Sequence, residues 1–183
     1  IGISPTAAFA RPGMFLEGEA INRSAVDSFV RSISDADGLL SSGAFLYLLQ
    51  QENFRHERSG TRLALALFSI AKSNLLDGSV VPIDAAAFTE AARRILQAKR
   101  KLDVVGHFDA TNAALLLPET DSAGAAVFAN RITHLLKKPL LSEDLDGKVL
   151  VCSFGIASMP DDATDIETLI AAARVAKNKS HMM

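Results

Sequence analysis

Between Leu63 and Ile70 only Ser69 interrupts a continuous apolar run, and that run limits what the chain can become. Eight residues suit a strand and are too few for a buried helix. A run that is apolar at both odd and even positions suits a strand covered on both faces. The composition can supply such cover: 49% of the 183 residues are apolar and 22% charged, enough for a sizeable core in one domain of ordinary size.

The flanking segments read as helices and further strands. Residues 1–18 hold prolines and glycines with little periodicity and read as a linker or the tail of an upstream module. From Glu19 to Ile33, Ile21, Val26, Phe29, Val30 and Ile33 recur at helical spacing, so residues 19–34 form an amphipathic helix ahead of the main domain, residues 35–180. Ser42 to Arg58 is a second helix, with Phe45, Leu46, Leu48, Leu49 and Phe54 as its apolar side and Ser59-Gly60 as its stop. Ser73 to Ile83 reads as a loop. Asp84 then caps a helix running to about Lys99.

Val104 to Phe108 and Ala113 to Leu117 are strands joined by Asp109-Ala110-Thr111-Asn112, the layout of a hairpin. Asp121 opens a helix with Val127, Phe128, Ile132 and Leu135 on one side. Lys148 to Ala157 is a strand, and Thr164-Asp165-Ile166-Glu167 is a capping box for the last helix. This order predicts an α+β domain, its sheet covered by helices.

A net charge of −2 with both signs interspersed lacks the footprint of a general nucleic-acid binder. The one cysteine, Cys152, reads as a small hydrophobe in a strand. It cannot form an internal disulfide, and together with the lack of a membrane-length apolar run this points to the cytoplasm, with no membrane contact by the domain itself. His56, His107, His134 and His181 show no metal-ligand spacing, and no Ser/His/Asp set stands out, so no cofactor, metal site or catalytic residue is expected.

Several local patterns, in order, resemble the GGDEF (diguanylate cyclase) family. Val105-Gly106-His107-Phe108 and Ala114-Leu115-Leu116-Leu117-Pro118-Glu119-Thr120 resemble the segments on either side of its signature hairpin. Val151-Cys152-Ser153-Phe154-Gly155-Ile156-Ala157 resembles its V-T-x-S-[IF]-G-I-A strand, and Ala172 to Lys177 its final helix. Gly38-Leu39 and Ala44-Phe45 resemble its opening motif more loosely. The resemblance covers about four fifths of the chain and implies a nucleotide-cyclase-like central sheet, mostly antiparallel, with helices packed on its faces.

The signature itself is replaced. Aligned without a gap, G-G-[DE]-E-F becomes Asp109-Ala110-Thr111-Asn112-Ala113, and the metal-binding acids of the family's first strand become Ser69-Ile70-Ala71-Lys72. The resemblance implies that the glycines admit a nucleotide and the acids seat metal ions, and threonine is a poor metal ligand. Without carboxylate ligands, a metal-dependent phosphoryl transfer loses its charge stabilisation, so the expectation is a domain that is not an enzyme.

Another family feature is present. Many members carry an inhibitory site for the product, cyclic di-GMP, marked by R-x-x-D five residues before the signature. Arg100-Lys101-Leu102-Asp103 stands there, and Arg131, in Ala129-Asn130-Arg131-Ile132-Thr133, matches a second arginine of that site. Arginine's planar fork can grip phosphate or the O6/N7 edge of guanine, and a carboxylate such as Asp103 can accept from guanine N1–H and N2–H. The expectation is a cyclic di-GMP receptor using Arg100, Asp103 and Arg131, in which Arg100→Ala abolishes binding and leaves the fold intact.

Each residue also has a plain structural reading. Arg100 suits a helix C-terminus, Asp103 can pair with Lys101, and Arg131 fits a solvated helix face. The alternative is therefore a ligand-independent scaffold, a homodimer or a platform for a partner protein, working through the helix of residues 19–34.

Overall fold

The structure, a computed structural model, describes residues 22–138 and 148–180. The proposed linker of residues 1–18 and the first residues of the first helix lie outside them. Helices α1 (Arg23–Ser32) and α2 (Ser42–Ser59) lead into strand β1 (Leu63–Asn74) and the short β2 (Val80–Pro82). Then follow α3 (Ala85–Ala98), the hairpin β3 (Val104–His107) and β4 (Ala113–Pro118), α4 (Ser122–Leu136), β5 (Lys148–Met159) and α5 (Ile166–Ser180).

β1 is the centre of the sheet. It pairs with β5 along its whole length on one side; on the other it pairs with β4 and, near its end, with β2, while β3 lies outside β4. Every pairing is antiparallel. The apolar run Leu63–Ile70 is therefore covered on both faces, and its alternation sorts the side chains between them. Leu63, Leu65 and Leu67 meet Phe45 and Leu49 of α2 and Leu169 and Ala173 of α5. Ala64, Ala66 and Phe68 meet Ala91, Ala92 and Ile95 of α3 and Phe128 and Ile132 of α4. Small alanines on the second face let α3 and α4 approach closely, as dense interior packing requires.

Local chemistry sets the helix ends. Asn22, Ser41, Asp84 and Asp121 each accept from a backbone N–H in the first turn of the helix that follows. Gly60 ends α2 in the left-handed region at φ 65°, donating to the His56 carbonyl. The predicted capping box is replaced by a simpler cap at the last helix: Asp165, not Thr164, accepts from Thr168 N–H at 2.9 Å.

Two further expectations need correction. The segment from Ser73 to Ile83 is no plain loop, since Val80–Pro82 pairs back on Ala71–Ser73; all three of its residues are exposed, so no apolar alternation marks it. Leu46 and Phe54 on α2 and Val127 on α4 are exposed, because the buried faces of those helices carry Phe45, Leu49 and Asn53, and Ala125, Phe128, Ala129, Ile132 and Leu136. The amphipathic helix α1 buries none of its residues.

Candidate functional site

Two concavities hold polar groups of interest. The first is a cleft of about 590 Å³ beside the β3–β4 hairpin, bounded by Phe68, Ser69 and Ile70 of β1, the start of α3 and the loop carrying Asp35 and Asp37. Three of its four acids accept hydrogen bonds from the chain, and the fourth, Asp35, lies 3.5 Å from His107 Nε2. Asp109 closes the hairpin loop, accepting from Thr111 N–H at 2.9 Å and Asn112 N–H at 2.8 Å, and pairs with Arg174 of α5 at 2.8 Å. Burial disfavours its ionised form, but these hydrogen bonds outweigh it and hold the carboxyl at about 2. Asp37 accepts from Leu39 N–H and contacts His107 Nε2 at 2.7 Å, while His107 stacks on Phe88. Asp84 caps α3 and pairs with Lys72. Among the described residues, no group of three or more His, Cys, Asp or Glu could hold a metal ion.

The second concavity, of about 400 Å³, lies where α4 begins, next to the end of β4. Arg62, Arg100 and Arg131 line it with Glu119, Thr120, Asp121 and Phe128. Arg100 and Arg131 are thus brought together from segments 31 positions apart. The route is tertiary: Arg100 follows the end of α3, Arg131 is on α4, and Arg131 Nη2 donates to the Ala98 carbonyl, the last of α3, at 2.9 Å. The Arg131 guanidinium also lies 4.8 Å from the Phe128 ring centroid.

Asp103 plays a different part from the one expected. Its side chain is 0% exposed and is not in the pocket wall. One oxygen accepts from Arg100 Nη2 at 2.8 Å and Nε at 3.0 Å, the other from the Arg100 backbone N–H at 2.8 Å. It pairs with Arg100 and not with Lys101. Arg100 Nη2 further donates to Thr120 Oγ1 at 2.7 Å and to the Pro118 carbonyl at 3.2 Å. The Asp103 hydrogen bond raises the Arg100 pKa, opposed by partial burial and helped by the Asp103 and Glu119 charges. Nη1 donates to no described residue. The guanidinium is therefore clamped along one edge and open along the other, with 54% of the side chain exposed.

Arg62 and Glu119 escaped the sequence reading. Pairing of Leu63 with Pro118 sets the two side by side, and Glu119 N–H donates to the Arg62 carbonyl at 2.8 Å. Only the β1–β4 register could have revealed them. Glu119 has φ 54°, in the left-handed region that non-glycine residues seldom adopt.

An antiparallel sheet covered by helices on both faces, with the β3–β4 hairpin beside a cleft, is the α+β arrangement that solved GGDEF domains share. The chain belongs to the GGDEF family: the family model described as diguanylate cyclase, GGDEF domain, matches residues 84–181. Solved structures share the fold. The diguanylate cyclase SiaD of Pseudomonas aeruginosa, in complex with its activator SiaC, aligns with a TM-score of 0.70 at 18% identity, over 87% of this chain and 62% of that one. This chain thus spans less than two thirds of SiaD. A sensory box/GGDEF family protein from Caulobacter crescentus aligns at 0.63 and 24% identity, over 82% of this chain and 98% of that one. The coiled coil and GGDEF domain of DgcB from Caulobacter crescentus, in complex with c-di-GMP, aligns at 0.66 and 15% identity, over 87% and 86%. No curated protein matches the sequence. Among the described residues, no helix is long and apolar enough to cross a membrane.

Proposed function

We propose that this is a catalytically inactive GGDEF domain that binds cyclic di-GMP in the arginine pocket and passes that event to a partner or a second copy, in the cytoplasm. One observation carries the reading: Arg100 and Arg131 line a single pocket, and Arg100 Nη1 donates to no other described residue. Three guanidiniums against two carboxylates suit a ligand with two phosphates and two guanines, since arginine can bond phosphate in pairs and stack on a base. The solved complex of DgcB with c-di-GMP supports the ligand class.

Inactivity is supported by the donor set of the hairpin cleft. Ser69 and Thr111 offer hydroxyls where the family's acids would stand, and the carboxylates of Asp37, Asp84 and Asp109 already accept hydrogen bonds from the chain. Hydroxyls and committed carboxylates make a poor seat for a hard divalent cation, which takes anionic oxygen ligands. The residues present do not fit the family's metal.

Isothermal titration of the chain with cyclic di-GMP tests the reading. Saturable heat at tens of micromolar ligand, weakened at least tenfold by Arg131→Ala, is the expected result, and a flat wild-type titration would end it. Incubation with GTP and magnesium should yield no product; turnover would overturn the claim of inactivity.

A second reading rests on α1. Val26, Phe29 and Val30 lie on one side of a helix with no buried residue, and remain 47%, 62% and 44% exposed. Such a stripe suits pairing with a twin helix in a homodimer, with or without ligand. A dimer indifferent to cyclic di-GMP in size-exclusion chromatography would favour this scaffold over the receptor.

A further inference from the structure

We infer that Glu119 is the carboxylate that recognises guanine in the arginine pocket; this rests on the receptor reading and assigns its base specificity. Guanine presents two donors side by side, N1–H and N2–H, and a single carboxylate is the side chain that accepts from both. Asp103 cannot do so from where it stands, because it is buried and its oxygens already accept from Arg100.

Glu119 is the alternative that the geometry offers. Its two neighbours in the chain, Pro118 and Thr120, both accept from Arg100 Nη2, so Glu119 sits between the groups that clamp that guanidinium. Its side chain is 55% exposed and lines the pocket. The left-handed backbone at φ 54° turns it out of β4, and Arg55 Nη2 donates to its Oε1 at 2.8 Å. Backbone conformations of this kind persist where the surrounding structure enforces them, and they cluster at binding sites. A guanine would meet Arg100 on its O6/N7 edge and Glu119 on the adjacent N1/N2 edge, with Arg131 and Arg62 left to the phosphates. The other carboxylate in the wall, Asp121, accepts from Gly124 N–H at 2.8 Å as the cap of α4.

The test is a change of preference, which a merely structural role would not produce. Adenine offers an acceptor at N1 beside the N6 amino donor. A glutamine amide matches that pair and clashes with guanine's two donors. Wild type and Glu119→Gln are titrated with cyclic di-GMP and cyclic di-AMP, with melting curves to verify folding. Wild type should prefer the guanine ligand at least tenfold. Glu119→Gln should lose at least tenfold in affinity for it, and the preference should shrink or invert.

An unchanged preference in a folded variant overturns the role of Glu119 and leaves the receptor reading standing. A wild-type chain that binds neither ligand overturns both. Should the variant unfold, proton NMR of the wild-type complex decides. The guanine imino proton should be slowed in exchange relative to free ligand, and exchange as fast as in free ligand overturns the assignment.

Discussion

Arg100 and Asp103 depend on each other, and that changes what a mutation at either would report. Removing the guanidinium leaves a carboxylate with no solvent exposure holding only a backbone N–H. Leaving a buried polar group short of partners costs about 1–3 kcal/mol. Arg100→Ala is therefore expected to lower the unfolding free energy by that amount in urea, as well as to abolish ligand binding; the sequence-level expectation of an intact fold is revised to a weakened one. Arg131→Ala removes a hydrogen bond to Ala98 and a contact with Phe128, costs about 1 kcal/mol and strands no buried carboxylate, so it is the cleaner binding probe. At the same scale, Asp109 and Glu90 set an acid limit. Hydrogen bonds from Arg93 lead the effects that hold Glu90 at about 2, against opposing burial, and Asp109 also stands at about 2. Both folded values lie below the ordinary carboxylate range. Their stabilisation is thus complete above about pH 4 and is lost as pH falls from about 4 to about 2. Melting temperatures across that window should drop for wild type and drop less steeply for Asp109→Asn.

The elements meet where side chains are smallest. α5 lies so close on β5 that a Cβ placed on Gly155 would stand 2.1 Å from the Ala173 carbonyl oxygen and 2.4 Å from the Lys177 amide nitrogen. Backbone atoms cannot yield as a flexible side chain can. Gly155→Ala is expected to destabilise the domain by about 3 kcal/mol or more by forcing α5 away, measurable by denaturant titration. The neighbouring Cys152 opposes Ile70 across β5 and β1 and packs against the α3/α4 side of the core. Burial pushes its thiol up, so it behaves as the small hydrophobe that its apolar surroundings in the sequence suggested.

Across the whole molecule, one strand unites two cores. β1 gives its leucines to the α2/α5 layer and its alanines and Phe68 to the α3/α4 layer, so both layers are built on the same strand. α1 stands outside this arrangement. Deleting residues 22–32 should shift the melting temperature by no more than about 2 °C in a monomer, since little apolar burial is removed. A larger loss that depends on protein concentration would mean that α1 is buried between copies.

How far the sequence reached follows from the range of the interactions. Helix caps such as Asp84 and Asp121, the doubly covered β1 and the hairpin around Asp109 depend on neighbours within a few residues, and period and turn chemistry made them legible. β2 escaped because its three residues are exposed and have no alternation to read. Arg100 and Arg131 were found through a family pattern, yet their meeting in one pocket required α3 and α4 to pack. By itself, then, the sequence determined the helices, the longer strands and the two-faced core, because local backbone and burial preferences act at short range, and a family pattern within it marked the candidate arginines. Only the tertiary structure decided that Asp103 is buried beneath Arg100 and that the β1–β4 register brings Arg62 and Glu119 to the same wall, because those placements arise from pairing and packing between distant segments.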